Sequence, residues 1–274
     1  MPEEVEILKK QIEQLNRKLM IAEHHKSYFL SLVSNEIINP FTSILGLSKL
    51  LMEKKSDADE DINKIATLLY TESLFLYHQL TNIFVAARLE TGDAALNPSV
   101  VNLKRLVNEV VRSFNFYKVE KNVKIVTQFD QQHDYFETDP EFLKVIISNL
   151  LSNAVNASEE NGQVLLKLQV KNDQLIIEVK DEGEGIAPEK LKEVFDWFKR
   201  GDDSINSVNA GSGLGLSVVK GLLDVLSGKI ELESSEGKGT KATVIIPKSE
   251  IDGCGIGMDE DNLFFEDDTD VEMF

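Results

Sequence analysis

Apolar side chains near the start of the chain recur at alternating spacings of three and four: Val5, Leu8, Ile12, Leu15, Leu19 and Ala22, with Glu, Lys and Gln between them. That is a heptad seam, and it predicts a short parallel coiled coil over residues 1–23. The spacing continues through Lys26, Phe29 and Val33, so the coil runs into a helix extending to about Lys54. Ser56-Asp57-Ala58-Asp59 then supplies a turn and N-cap candidates. A second helix carries Ile62, Leu69, Leu76 and Ile83 seven apart, with Ile65, Leu80 and Ala87 between them, and stops at Gly92. Two helices of ~30 residues, each ~45 Å long, predict a helical hairpin over residues 24–96. One hairpin cannot cover its own apolar faces, whereas two make a four-helix bundle. The pattern therefore predicts a homodimer through the hairpin.

After Asn97-Pro98 the periodicity changes. Helix-like stretches at 103–118, 139–158, 188–198 and 213–227 interleave with β-branched runs at Val123–Phe129, Val164–Val170, Leu175–Lys180, Lys229–Glu233 and Ala242–Ile246. Interleaved helices and strands predict an α/β sandwich over residues 97–248.

Composition changes this picture in three places. A single cysteine, Cys254, excludes a disulfide within the chain and points to a reducing, cytoplasmic setting. No run approaches the eighteen apolar residues of a membrane span, and the acidic N-terminus does not read as a signal peptide. The net charge of −18 argues against nucleic acid or an anionic membrane as partner. Ten of the 47 acidic residues, and none of the 29 basic ones, lie in Ser249–Phe274, so that segment carries more than half of the net charge. Residues 249–274 read as a disordered acidic tail, in which Leu263-Phe264-Phe265 could also serve as a docking peptide.

Three motifs in the second domain carry candidate chemistry, with two further segments beside them. Asn149 and Asn153 are four apart, so their amides project from one face of an otherwise apolar helix. A buried amide without a partner costs ~1–3 kcal/mol, so this pair is expected to meet something polar. Asp181-Glu182-Gly183-Glu184-Gly185-Ile186 ends a strand and by itself is an ordinary turn signal. Gly211-Ser212-Gly213-Leu214-Gly215-Leu216 opens a helix, where backbone amides can receive phosphate. No Gly-Lys-Ser/Thr follows, so it is not a Walker loop, and no strand leads into it as a dinucleotide fingerprint requires. Between the last two lies Val194-Phe195-Asp196-Trp197-Phe198-Lys199-Arg200, and Gly237-Lys238-Gly239-Thr240 precedes the last strand.

In this order the motifs resemble the GHKL superfamily of ATPases and kinases, and residues 24–248 resemble a two-component sensor histidine kinase core. The resemblance implies a dimeric four-helix bundle followed by a GHKL-type ATP-binding domain. It implies ATP and Mg2+ as cofactors, with Asn149 and Asn153 facing the phosphates and Asn153 holding the magnesium. Asp181 would accept the adenine exocyclic amine, with Gly183, Gly185 and Ile186 close to the base. Phe198 and Arg200 belong to the family's phenylalanine box, and Gly211, Ser212, Gly213, Leu214, Gly215 and Leu216 to its phosphate loop. Thr240, just before the last strand as in the family, would also belong to the nucleotide site. The expected partners are a response-regulator receiver domain or another kinase.

The departures from the family are as informative. Ser34-Asn35-Glu36-Ile37-Ile38-Asn39-Pro40-Phe41 resembles the acceptor box, with Asn35 where the family has its phosphorylated histidine. A carboxamide nitrogen has its lone pair delocalised into the carbonyl, so it cannot form a usable phosphoramidate. Glu36, the acid that takes the histidine's proton in active relatives, has no evident substrate here. Asn39 stands where the family orients water against a phosphoaspartate on the regulator, a reaction that does not need the histidine. Pro40 removes a helix hydrogen bond and predicts a kink. His24 is eleven residues before Asn35, near the same helix face but ~16 Å along the axis, and His25, His78 and His133 lack the acidic context of an acceptor. Asn149 also stands where hydrolytic relatives place a general-base glutamate, so efficient hydrolysis is not expected. Asn156 and Ala157 replace a lysine and an aromatic common in sensor kinases. Three readings follow: a degenerate kinase that binds Mg-ATP, an active kinase inactivated by an engineered His-to-Asn change, or a structural dimer without nucleotide.

Overall fold

The computed structural model describes residues 37, 40–51, 59–114, 122–130, 133–191, 194–195 and 214–250. The coiled-coil seam, Asn35, Glu36, Asn39, Phe198, Arg200, Gly211, Ser212, Gly213 and tail residues 251–274 lie outside them.

Residues 40–51 are helical, with Pro40 buried and Phe41, Leu45 and Leu50 about half exposed. Helix α1 spans Asp59–Thr91, 33 residues and about 50 Å, and ends one residue before Gly92. Its two faces differ. Gln79, Asn82, Ile83 and Ala86 are buried, and Leu89 is packed against the core. Tyr70, Tyr77 and Phe84, seven apart on another face, are 50%, 71% and 66% exposed. The heptad positions expected to form the seam thus divide: Ile83 is buried, whereas Leu69 and Leu76 are half-buried.

The second domain contains β1 (Ser99–Asn102), α2 (Leu103–Phe114), β2 (Lys124–Phe129), β3 (Tyr135–Thr138) and α3 (Pro140–Ala157). It continues with β4 (Gln163–Lys171), β5 (Gln174–Lys180), α4 (Gly215–Val225), β6 (Lys229–Ser234) and β7 (Thr240–Pro247). Five strands form a mixed sheet in the order β2-β4-β5-β7-β6, with β2 and β4 parallel and the other neighbours antiparallel. Alternate residues of the central strands are buried: Val164, Leu166 and Leu168 on β4, Leu175, Ile177 and Val179 on β5, and Ala242, Val244 and Ile246 on β7. This period of two marks a sheet with one face turned to the core. Helices α2, α3 and α4 supply the other half, with Leu143, Ile146, Ile147, Leu151, Val218, Val219 and Leu222 all fully buried.

Local chemistry fixes the start of α3, the helix that carries both motif asparagines. Asp139 is its N-cap, and Oδ1 accepts from the backbone of Glu141 (2.9 Å) and Phe142 (3.0 Å). Pro140 follows at the first helical position, where its missing N–H costs nothing. Asp139 Oδ2 accepts from Asn97 N at 2.9 Å and so ties the linker after α1 to the domain.

Two expectations need correction. Residues 188–191, 194 and 195 form turns, so the helix expected over 188–198 is not present where that stretch is described. A second, two-stranded antiparallel sheet, β1-β3, was not anticipated. Its strands are four residues each, too short for alternation to stand out from the background.

Candidate nucleotide site

The ends of β5 and β7 meet at Asp181. The side chain is 4% exposed, and Oδ1 accepts from the backbone of Gly183 (2.9 Å) and Thr240 (3.1 Å). Its own N–H donates to Thr240 O at 2.9 Å. Burial pushes the carboxyl above the ordinary carboxylate range, against the pull of the Gly183 and Thr240 hydrogen bonds. Oδ2 has no hydrogen-bond partner among the described residues. The result is a rigidly held, largely desolvated acceptor, suited to a ligand N–H.

Around this carboxylate the backbone folds tightly. A Cβ at Gly183 would overlap the Ala157 carbonyl oxygen at the end of α3. Gly185 adopts φ +69°, a region that favours glycine, and packs against the Ser235 carbonyl. Glu184 N donates to Ala157 O (3.2 Å), and Gly237 N donates to Glu184 O (2.7 Å). Ile186 is held through its N–H, which donates to Ser234 Oγ at 2.8 Å. Ser234 Oγ also donates to Gly239 O (3.0 Å) and lies 2.8 Å from Thr240 Oγ1. Ser234 was not singled out in the sequence, where one serine at a strand end carries no signal. It ties the Asp181 turn to the Gly237–Thr240 turn.

The residues expected at the phosphate end lie on α3 and at the start of α4. Leu214 occupies the N-cap position of α4 and makes no side-chain cap hydrogen bond. Leu214 itself is fully buried and serves the core, while Leu216 is half-buried. The two motif asparagines have opposite surroundings: Asn153 is exposed and Asn149 is 1% exposed. Asn149 pairs with Asn82 of α1, another residue the sequence reading did not single out. Nδ2 of Asn82 donates to Oδ1 of Asn149 at 2.8 Å, and Nδ2 of Asn149 donates to Oδ1 of Asn82 at 2.7 Å.

Also on α1, the ring of His78 is held neutral: burial lowers its pKa from 6.5 to about 4, and Nε2 has no partner among the described residues. A cavity of about 530 Å3 lies at the other end of β5, bordered by Val100, Tyr135, Asn172 and Lys248. It is roughly 20 Å from Asp181, measured along the strand, and shares no residue with the motifs.

These groups fit ATP. Asp181 offers an acceptor for an exocyclic amine, and the uncapped start of α4 offers donors for phosphate. Among the described residues no group of three or more His, Cys, Asp or Glu is placed to hold a metal. An exposed amide such as Asn153, together with phosphate oxygens and water, suits magnesium. No described helix is long and apolar enough to cross a membrane.

Comparison with known proteins agrees with this geometry. Residues 138–250 match the family described as histidine kinase-, DNA gyrase B-, and HSP90-like ATPase. The circadian input-output histidine kinase CikA of Synechocystis sp. is 31% identical over 245 residues, which is 87% of this chain and 32% of that protein. The sensor histidine kinase WalK of Bacillus subtilis is 26% identical over 230 residues, 83% of this chain and 38% of that protein. Among solved structures, full-length ShkA in complex with AMPPNP aligns with a TM-score of 0.56 at 25% identity, over 81% of this chain and 46% of that one. The chain thus spans about a third of the length of the curated relatives it matches. Residues 138–250 are thus similar to ATPase domains of the histidine kinase, DNA gyrase B and HSP90 type, and 87% of the chain is similar to part of a histidine kinase.

Proposed function

We propose that this protein is a histidine-kinase-like two-component signalling protein that binds Mg-ATP and cannot phosphorylate itself at the usual position. The nucleotide half of the reading rests on Asp181, whose buried carboxylate keeps Oδ2 without a protein partner among the described residues. Asp181 would orient adenine, the start of α4 would receive phosphate, and Asn153 would hold magnesium. Magnesium, when bound, shields the phosphate charge. The second half rests on the sequence: Asn35 supplies no nucleophile.

Such a protein couples nucleotide state to a partner, either as a phosphatase of a receiver domain through Asn39 or as a signalling scaffold paired with another kinase. Homodimerisation through the hairpin is supported by the exposed stripe of Tyr70, Tyr77 and Phe84, which a second copy would cover. An engineered replacement of the histidine would leave the same pocket and the same dimer.

A fluorescent ATP analogue, titrated with and without magnesium, tests the reading. Binding that requires magnesium and is lost in Asn153→Ala and Asp181→Asn is the expected outcome. At position 181 an amide would present an N–H to the adenine amine in place of an acceptor. No binding by the unaltered protein at millimolar nucleotide would reduce the domain to a scaffold. In the same preparation, Asn35→His tests the second half: phosphate incorporation would appear only with the restored imidazole.

A further inference from the structure

We infer that Asn149 and Asn82 form a clasp that fixes the ATPase domain on helix α1, and that Asn149 holds this post instead of contacting nucleotide.

The hydrogen-bonding capacity of the amide carries the inference. Asn149 has two N–H donors. One goes to Asn82 Oδ1 at 2.7 Å and the other to Val145 O, in its own helix, at 3.0 Å. Neither remains for a phosphate oxygen. Oδ1 accepts from Asn82 at 2.8 Å, and Gly215 closes on it so tightly that a Cβ there would stand 2.9 Å away. Asn82 is equally enclosed, at 2% exposed. The pairing is reciprocal, joins residues 67 apart in sequence, and crosses from the helical region to the ATPase domain.

Apolar contacts surround the pair. Ile83 and Ala86 are buried beside Asn82, and Leu89 lies against Gly221 of α4, where a Cβ would come within 2.7 Å of Leu89 Cδ1. Docking therefore uses α3 and α4 together, the same two helices that build the phosphate end of the site. Asn153, one turn beyond Asn149 on α3, is exposed and available to magnesium and phosphate. The two asparagines of the motif divide the work: one senses α1, the other serves the nucleotide. Because Gly215 touches Asn149 and also opens α4, a shift of α1 is transmitted to the phosphate-binding helix start. This transmission rests on the nucleotide-binding reading above; the clasp itself does not.

Amide hydrogen exchange over residues 79–89 of the full chain, measured beside titration with a fluorescent ATP analogue and magnesium, decides the matter. Asn82→Ala and Asn149→Ala each strand a buried amide, so each should raise exchange in 79–89 by about tenfold or more. The double variant strands neither, and should be no worse than either single one. Asn149→Ala should keep nucleotide affinity within about threefold, whereas Asn153→Ala should lose about tenfold or more without altering exchange. Asn82→Asp, whose carboxylate still accepts from Asn149 but cannot donate, should give an intermediate loosening and serves where an alanine variant does not fold. The clasp is overturned if Asn149→Ala abolishes nucleotide binding while Asn82→Ala leaves exchange unchanged, or if the two single effects simply add. If the unaltered protein binds no nucleotide, the functional reading fails, and the exchange results still decide the clasp.

Discussion

The ATPase domain and helix α1 bury their apolar residues in different ways. In the domain, the central strands and α3 close on one another, and Ile147, Leu166 and Ile177 are completely buried within one chain. On α1, Ile83 and Ala86 are buried against the domain, whereas Tyr70, Tyr77 and Phe84 remain at least half exposed. The domain closes its core within one chain; the helix is covered by the domain on one side and, in the proposed dimer, would meet a second copy on the other. A helix in that position can report on its neighbours, because changing either one changes its surroundings.

The sharpest way to probe the self-contained half is Ile147→Ala. A cavity in the middle of α3 should cost about 2–5 kcal/mol, read as a lower denaturant midpoint, without changing the affinity between protomers. An equal fall in dimer affinity would mean that the domain is not complete by itself.

Acidification tests the helix instead. His78 is held neutral with a pKa near 4, below the 6.5 of the unfolded chain. Above pH 6.5 the ring is neutral in both states and no stability is lost. As pH falls from 6.5 toward 4 the unfolded chain takes up a proton that the folded ring does not, so stability drops by up to about 3 kcal/mol. Denaturant melts at pH 7 and pH 5 should show this slope, and His78→Gln should flatten it. A slope that survives the substitution assigns the effect to other groups.

Phe84→Asp addresses the exposed side of α1. A charge in the stripe that a second copy would cover should weaken dimerisation by about tenfold or more, seen by sedimentation, while nucleotide affinity stays unchanged. An unaltered dimer would remove this stripe from the interface. The smallest effect expected is at Asp139→Ala, which removes the cap of α3 and the tie to Asn97. It should lower stability by about 1 kcal/mol and loosen the linker that joins the two regions.

Much of this arrangement is legible in the order of residues. The alternation along β4, β5 and β7 gives both the strands and the faces they bury, because a strand's period of two is local. Asp139-Pro140 marks the start of α3 for an equally local reason: the cap bonds reach only two and three residues ahead. The glycine motifs locate the turns around Asp181. Other features were settled by the tertiary structure. The β1-β3 sheet joins two strands too short to signal themselves. Ser234 matters because groups from two turns converge on its hydroxyl. Asn149 and Asn153 look equivalent on a helical wheel, yet one is sealed against Asn82 and the other faces solvent. Periodicity states which side of a helix is covered; what covers it depends on a partner 67 residues away, for which the local sequence carries no mark.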